Sequence, residues 1–418
     1  MPAAMRIPHV RWWIAGLLFL STVINYVDRQ TLSVLAPVLK QELGVTDAQY
    51  GNILTAFLAA YTVMYVGSGF LVDRFGTRRA LAGFMVWWSA ANMLHAFARG
   101  PWSLGGLRFL LGLGESGNFM AAFKAVSEWY PAKERAFVHG LVQSGAAIGA
   151  IVAPPVITAL NAAYGWQPAF LVTGALGFVW LVLWLLLYHA PETHPFVTPE
   201  ERALVLEDEP GSTSGHAKKL PWRSLFGHPQ TWGLLVARFL SDPVWWFYLF
   251  WLPKYLVEKR GFSMAEMGMI AWMPYLAADV GAIGGGWLSG RLVARGWDPI
   301  RARLAVMLPF ACLMPLSLFI DRTESWVTIA LICVVTFSHM AWKTNQNTLT
   351  NDVYPKALIG TASGMLAFGT GLGGTLFTWL TGFTVEWFGY GAVFMLMSVL
   401  HPISYVVTQR LVRRPLTP

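Results

Sequence analysis

Apolar runs long enough to cross a bilayer recur along the whole 418-residue chain. A helical span needs about 20 mostly apolar residues, and no other use of so many such runs is common in proteins. Candidates fall near 11–37, 48–71, 80–98, 102–126, 137–160, 167–189, 229–257, 264–290, 302–320, 326–349, 357–381 and 389–411. Six precede a polar stretch at 190–228 and six follow it. The pattern predicts an all-α membrane protein of twelve transmembrane helices in two pseudo-symmetric six-helix bundles. The expected domains are 1–189 and 229–418, with 190–228 as a linker. Within that linker "TPEE" reads as a helix start: Thr198 as cap, Pro199 in the first turn, Glu201 closing a capping box. One short surface helix is expected there.

Composition agrees with this reading. Residues are 55% hydrophobic and only 12% charged, about half the charge of a soluble domain. The formal charge of +8 does not point to nucleic acid, because the basic residues sit in short clusters between apolar runs. Cys312 and Cys333 lie in apolar segments without metal-ligand spacing, so neither a metal site nor a disulfide framework is expected. Arg6 and Arg11 before "IAGLLFLS" look like the start of a signal peptide. Polar "NYVDRQ" follows without a small-residue cleavage site, which favours a retained first span.

Loop charge gives the orientation. With both termini cytoplasmic, the inner side collects Arg74, Arg78 and Arg79, then Lys218, Lys219 and Arg223, then Arg301 and Arg303, and finally Arg410, Arg413 and Arg414. The inner total is 19 Lys and Arg against 6 outside, and this bias sets the expected topology. The halves also repeat at an offset of 224. Tyr130–Pro131 falls on Tyr354–Pro355, Gly149 on Gly373, and "YGWQPAF" on "FGYGAVF", which superposes Gly165 on Gly389 and Phe170 on Phe394. Duplicated helical halves around a midplane site are a transporter architecture.

Charges inside the spans mark the candidate site, since an ionisable group facing lipid is costly. In "INYVDRQTL", Asn25, Asp28, Arg29 and Leu32 share one broad helical face. Neighbours at i and i+1 point about 100° apart, so Asp28 and Arg29 should serve different partners. In "RFLLGLGESGN", Arg108 and Glu115 are two helical turns apart and share a face that Asn118 continues. A static ion pair and a proton-exchanging carboxyl are both open for Glu115. In the second half Glu115 falls on His339, which opens "HMAWKTNQN". His339, Lys343 and Gln346 line one face beside Trp342 and Asn345, readable as a sugar platform or as polar helix packing. Pro243 predicts a break near Asp242, Asp279 is another acid within a span, and "APP" at 153–155 marks a bend. No nucleotide loop, metalloprotease helix or nucleophile elbow occurs, so neither ATP-driven transport nor enzymatic catalysis is expected.

The loop "GFLVDRFGTRR" carries the pattern G-x-x-x-D-R-x-G-R-R on Gly69, Asp73, Arg74, Gly76, Arg78 and Arg79. Gly69 is expected to permit close helix approach, Asp73 to accept from a neighbouring helix, and Gly76 to make the turn. A worn copy at Gly286 and Gly290–Arg291 lacks the acid. With this pattern the chain resembles the major facilitator superfamily. "NYVDR", "LGLGESGNF", "SEWYPAKERA", "RFLSDPVWWFYLFWLPKYL" and "AWMPYLAADVGAIGGGWL" further resemble its anion:cation symporter branch, in particular hexuronate and galactonate carriers. Some galactonate carriers have Asn where this chain has Ala367, which favours a hexuronate.

The resemblance implies that Asp28 and Glu115 are the protonatable pair. It implies an anion site of Arg29, Tyr26 and Tyr61, an interaction of Arg108 with Glu115, and a substrate role for Trp342. Arg108, Asn118, Asn345 and His339 are added as substrate-binding candidates. Asp73, Arg74, Gly76, Arg78, Asp242 and Asp279 are gating or structural candidates. No cofactor is expected beyond the proton gradient, and a monomer in the lipid bilayer is expected. Arginine can hold a carboxylate through two parallel bonds, which makes Arg29 the first choice for the substrate anion. Ionised acids beside it would repel that anion, so protonation should favour loading. Three alternatives stay open: a proton-coupled carrier of an aldonate or aromatic acid, a proton-driven exporter, and a sugar-acid receptor that moves nothing.

Overall fold

The computed structural model describes residues 9–206, 222–354 and 359–416, and every regular element among them is helical. Arg6, Lys218, Lys219, Pro355 and Lys356 lie outside the described residues, as does much of the expected linker. The chain divides into two compact units, one formed by Met1–Leu39 with Ala59–His216, the other by Lys40–Leu58 with Ala217–Pro418.

The first unit contains most of α1 (Val10–Leu43), the second half of α2 (Asp47–Phe75), α3 (Thr77–Leu94), α4 (Pro101–Glu115), α5 (Gly117–Trp129), α6 (Ala132–Tyr164), α7 (Trp166–Leu187) and α8 (Pro199–Leu206). The expected fourth span arrives as two helices, α4 and α5, separated at Ser116. Small residues set the packing distances. A Cβ on Gly149 would lie 2.6 Å from the carbonyl oxygen of Val23 and 2.7 Å from Tyr26 Cβ, so α6 presses directly on α1. Between α6 and α7 the chain turns at Gly165, whose φ of 86° is a left-handed value that glycine adopts without strain.

α8 is the surface helix foreseen from "TPEE", and Thr198 Oγ1 accepts from the Glu201 backbone N–H at 3.2 Å. The reciprocal half of the capping box does not form. Glu201 instead accepts from the backbone N–H groups of Val10 and Arg11, each at 3.1 Å. Those donors open α1 and have no partner within their own helix, so an acid there satisfies them and meets the positive end of the helix dipole. The bend expected at "APP" does not interrupt α6, which is helical through Pro154 and Pro155.

The second unit contains α9 (Pro229–Ser241), α10 (Pro243–Glu258), α11 (Met264–Ile270), α12 (Met273–Ala294), α13 (Pro299–Leu313), α14 (Ser325–Val353), α15 (Ile359–Phe388) and α16 (Tyr390–Leu411). Asp242 separates α9 from α10, the break that Pro243 predicts. α12 packs closely on α14, where a Cβ on Gly285 would lie 2.7 Å from Ala341 Cα.

Residues 40–58, which the sequence groups with the first bundle, pack within this second unit for three reasons. Asp47 pairs with Lys254, a nearly fully buried cation that also meets Glu258 at 2.6 Å. The Tyr50 hydroxyl donates to the Phe250 carbonyl at 2.7 Å. Gly51 meets Gly382 so tightly that a Cβ would come within 2.7 Å of its Cα.

Six helices among the described residues are long and apolar enough to cross a membrane, starting at Val10, Phe137, Trp166, Pro299, Ser325 and Tyr390, and α2 supplies a seventh if its two bent segments count as one span.

Candidate functional site

α1 is buried nearly all round from Asp28 to Leu35, so its polar side chains must find partners inside the first unit. Their directions differ as the helical geometry requires. Asp28 Oδ1 accepts from Asn92 Nδ2 of α3 at 2.7 Å, and the same amide reaches Thr173 Oγ1 of α7 at 2.9 Å. Arg29 turns the other way, toward α4. Its Nε and Nη2 both lie 2.8 Å from Glu115 Oε2, and Nη2 also donates to Asn25 Oδ1 at 3.1 Å. Its guanidinium sits over the rings of Tyr26 and Tyr61, 4.6 and 5.0 Å from their centroids. Arg29 is thus held by one acid, one amide and two aromatic faces at once.

Arg108 has a different direct contact from the one expected. Its Nη2 donates to the backbone carbonyl of Arg29 at 2.7 Å, and the side chain bonded to Glu115 is Arg29. Arg108 still lies within electrostatic reach of Glu115. Two arginines and two acids are therefore gathered in one buried core. Glu115 Oε1 is buried and has no hydrogen-bond partner among the described residues.

Asn118 is occupied elsewhere. Its Oδ1 accepts from Ser21 at 2.9 Å and its Nδ2 donates to Thr22 at 3.2 Å, which ties α5 to α1. Those bonds make it a packing residue in this conformation.

The glycine-arginine loop behaves largely as foreseen. Asp73 pairs with Lys124 of α5 at 2.8 Å. Gly76 has φ 76° at the turn into α3. Arg78 donates to the Leu185 carbonyl, and Arg74 lies over the Phe75 ring at 5.6 Å. Gly69 differs: among the described residues a Cβ there would meet nothing within 4 Å.

In the second unit, His339 Nδ1 lies 3.1 Å from His401 Nε2 of α16, and the His339 ring is parallel to Trp245 at a centroid distance of 6.1 Å. Trp342 is fully buried against His401 and Tyr405. Asn345 Nδ2 donates to the carbonyls of Gly285 and Ala341 at 3.0 and 2.9 Å. These contacts pack Trp342 and Asn345 between helices, and they leave Trp342 Nε1 and Asn345 Oδ1 buried without hydrogen-bond partners among the described residues. Asp242 pairs with Lys343 and accepts from Thr370. Asp279 is half-buried and makes no hydrogen bond or ion pair with the described residues.

Sequence reasoning passed over Asn92, Thr173 and His401. Asn92 and His401 each left a trace, a strongly polar residue inside an apolar helical run. Nothing in the sequence tied them to Asp28 or His339.

Opposed charges buried among long apolar helices fit the interior of a helical membrane protein. The Major Facilitator Superfamily pattern matches residues 18–378, and the chain belongs to that family of multi-pass membrane transporters. It is 35% identical over 415 residues to the hexuronate transporter of Escherichia coli K12, covering 96% of this chain and 94% of that protein. It is 36% identical over 284 residues to the galacturonate transporter of Dickeya chrysanthemi, covering 68% of this chain and 82% of that protein. A bacterial homologue of the human lysosomal transporter Spinster, solved inward-facing and unoccupied, shares the fold with a TM-score of 0.76 over 99% of this chain and all of that one, at 16% identity.

Proposed function

We infer that the protein imports a sugar-acid anion, a hexuronate such as glucuronate or galacturonate, together with protons. The observation that carries this reading is the Arg29–Glu115 pair. One Glu115 oxygen holds the guanidinium at 2.8 Å while the other is buried without a hydrogen-bond partner among the described residues. A proton on that second oxygen removes the charge that occupies Arg29. The arginine then offers its fork to the carboxylate of an incoming sugar acid, between the rings of Tyr26 and Tyr61. Loss of the proton restores the pair and expels the anion. One cation contested by an internal carboxylate and an external one thus couples proton to anion without covalent chemistry. Asp28, held apart by Asn92, serves as the second proton site. The substrate class is supported by the hexuronate and galacturonate carriers to which the chain is similar over most of its length.

The reading includes alternating access of two six-helix domains joined through 190–228, working as a monomer with both termini cytoplasmic, as the excess of inner Lys and Arg supports. It counts twelve spans by taking α4 with α5, α9 with α10, and α11 with α12 as single broken spans. The test is uptake of radiolabelled glucuronate or galacturonate into proteoliposomes under an imposed proton gradient. Asp28→Asn is expected to abolish accumulation against the gradient, and Arg29→Ala to abolish binding. Intact accumulation in the first variant removes Asp28 from coupling, and parent-like binding in the second removes Arg29 from the anion site.

A further inference from the structure

Within the second unit, the start of α13 and the end of α16 enclose an open cavity of about 550 Å³. Its floor is apolar, with Ile300 and Val412 buried beneath it and Leu304 packed beside them. Its rim is basic. Arg301 comes from the first turn of α13, Arg410 from the last turn of α16, and Arg413 from just beyond that helix. Tyr405 and Gln409 add two neutral polar groups. No aspartate or glutamate is among the described lining residues.

The three rim arginines differ from their neighbour Arg303, which is committed to Asp352 at 3.1 Å and to Ser289 at 2.6 Å. None of the three guanidinium groups has a hydrogen bond or ion pair among the described residues. The acid nearest in sequence, Asp298, is occupied in capping α13, where it accepts from the Arg301 backbone N–H at 3.0 Å. The rim is not a loose tail either. Past α16 the chain is pinned, since Val412 is fully buried and the Leu416 N–H donates to the Val353 carbonyl at 2.8 Å. Like charges held together by packed elements concentrate an anion at the cavity they share.

An apolar stripe leads away from this rim on both helices. Leu308 follows Arg301 by two helical turns on α13, and Val406 and Ile403 precede Arg410 by one and two turns on α16. All three are exposed. These spacings keep each set on one helical face, and α13 packs against α16, which brings the two stripes side by side. In a chain that spans a bilayer, exposed apolar side chains of this kind meet acyl chains. A basic cavity at the end of such a stripe matches an amphiphile with an anionic head.

We propose that this cavity binds an anionic glycerophospholipid of the inner leaflet, the side to which loop charge assigns these arginines. The phosphodiester sits on Arg301, Arg410 and Arg413, and an acyl chain follows Leu308, Val406 and Ile403. Arginine offers paired N–H donors to phosphate oxygens, and basic pockets between transmembrane helices on the cytoplasmic side suit anionic headgroups. A soluble phosphate ester would use the rim alone and leave the stripe unexplained. The site lies wholly within the second unit and is independent of the transported molecule.

The experiment titrates the full chain in detergent micelles with phosphatidylglycerol, with phosphatidylcholine of the same acyl chains, and with glycerol phosphate. The readout is the concentration that half-saturates the rise in unfolding temperature. Phosphatidylglycerol is expected to act at the lowest concentration. Arg301→Gln/Arg410→Gln is expected to raise that concentration about tenfold or more, and Arg301→Lys/Arg410→Lys to recover most of the loss. The control, Arg291→Gln/Arg295→Gln, removes the same charge outside the cavity and is expected to titrate like the parent. All four positions are exposed, so the substitutions leave the packing in place. A site variant that titrates like the parent overturns the proposal, as does a control that loses as much. Glycerol phosphate acting as well as the lipid overturns the lipid in favour of a soluble anion.

Discussion

Replacing Glu115 by glutamine removes the charge that holds Arg29 while keeping the size and most of the hydrogen-bonding capacity of the side chain. The pair is almost wholly buried, with 1% and 0% of the two side chains exposed, so solvent screening does not dilute the effect. The guanidinium stays charged in both proteins, and a hydrogen bond to a charged group contributes about 1.5–3 kcal/mol, with the full carboxylate partner at the upper end and the amide at the lower end. The difference, about 1–1.5 kcal/mol, is what an incoming carboxylate no longer has to overcome to win Arg29. At about 1.4 kcal/mol per decade of affinity, glucuronate should bind about five- to tenfold more tightly than to the parent at a pH where Glu115 is ionised. The unliganded protein should be less stable. Stripping one partner from a buried pair costs about 3–5 kcal/mol, and Asn25 Oδ1 with the new amide should keep the loss at the low end. Binding then stabilises the variant more than it stabilises the parent. Transport should separate from binding: exchange of labelled for unlabelled anion continues, and accumulation driven by a proton gradient stops. The assays are calorimetric affinity, thermal unfolding with and without anion, counterflow and gradient-driven uptake. A folded variant that loses affinity tenfold or more refutes the competition argument, because Glu115 must then contact the anion itself.

Other expectations are narrower. Gly149→Val should force α6 away from α1, since even a Cβ meets the Val23 carbonyl at 2.6 Å, and should weaken anion binding through Tyr26; parent-like affinity contradicts this. Glu201→Ala should cost about 1 kcal/mol of stability by uncapping α1, read as a lower unfolding temperature with substrate affinity unchanged. His194 gives a pH dependence. Burial holds this imidazole below its ordinary pKa, with Nε2 on the Leu187 carbonyl and Nδ1 accepting from the Phe196 N–H. The unfolded chain then binds the proton first, so the contribution of His194 is complete above about pH 6.5 and declines as pH falls below it. His194→Phe should flatten that region of the stability curve, and an unchanged curve contradicts the assignment.

Much of the site was legible because helical geometry is local. The spacing of Asp28 and Arg29 alone requires that they face different helices, and they meet α3 and α4 respectively. The break at Asp242 follows from the missing N–H of Pro243. What failed to show was tertiary choice. Arg108 and Glu115 share a helical face, yet Arg29 from another helix reaches the acid first. Asn118 and Asn345 had the chemistry of ligand residues, and the structure spends both on tying helices together. An amide in an apolar helix reads the same whether it faces a cavity or a neighbour. Only the packing of the neighbouring helix decides, as where Asn345 reaches the Gly285 carbonyl. Glu201 likewise satisfied the local pattern for capping α8 while its carboxylate found the start of α1, 191 positions away.

The internal repeat separates what duplication fixed from what it released. Gly149 and Gly373, 224 positions apart, each accept a helix carbonyl where a side chain would stand, that of Val23 in the first unit and of Phe239 in the second. Gly165 and Gly389, at the same offset, both adopt left-handed backbone with φ of 86° and 76°. These positions build the scaffold, and a side chain at Gly149 or Gly373 would push the packed helices apart. The repeated polar position behaves otherwise. Glu115 grips Arg29, whereas its counterpart His339 lies parallel to Trp245 and contacts His401. The backbone contacts at these glycines leave no room for a side chain, whereas the polar group at the equivalent site differs between the units. The second unit's own ion pair, Asp242 with Lys343, therefore arises at new positions, one turn beyond His339 on α14 and at the break of α9. Arg29 paired with Glu115 in one half and a differently placed ion pair in the other is the outcome expected when the scaffold repeats and the chemistry does not.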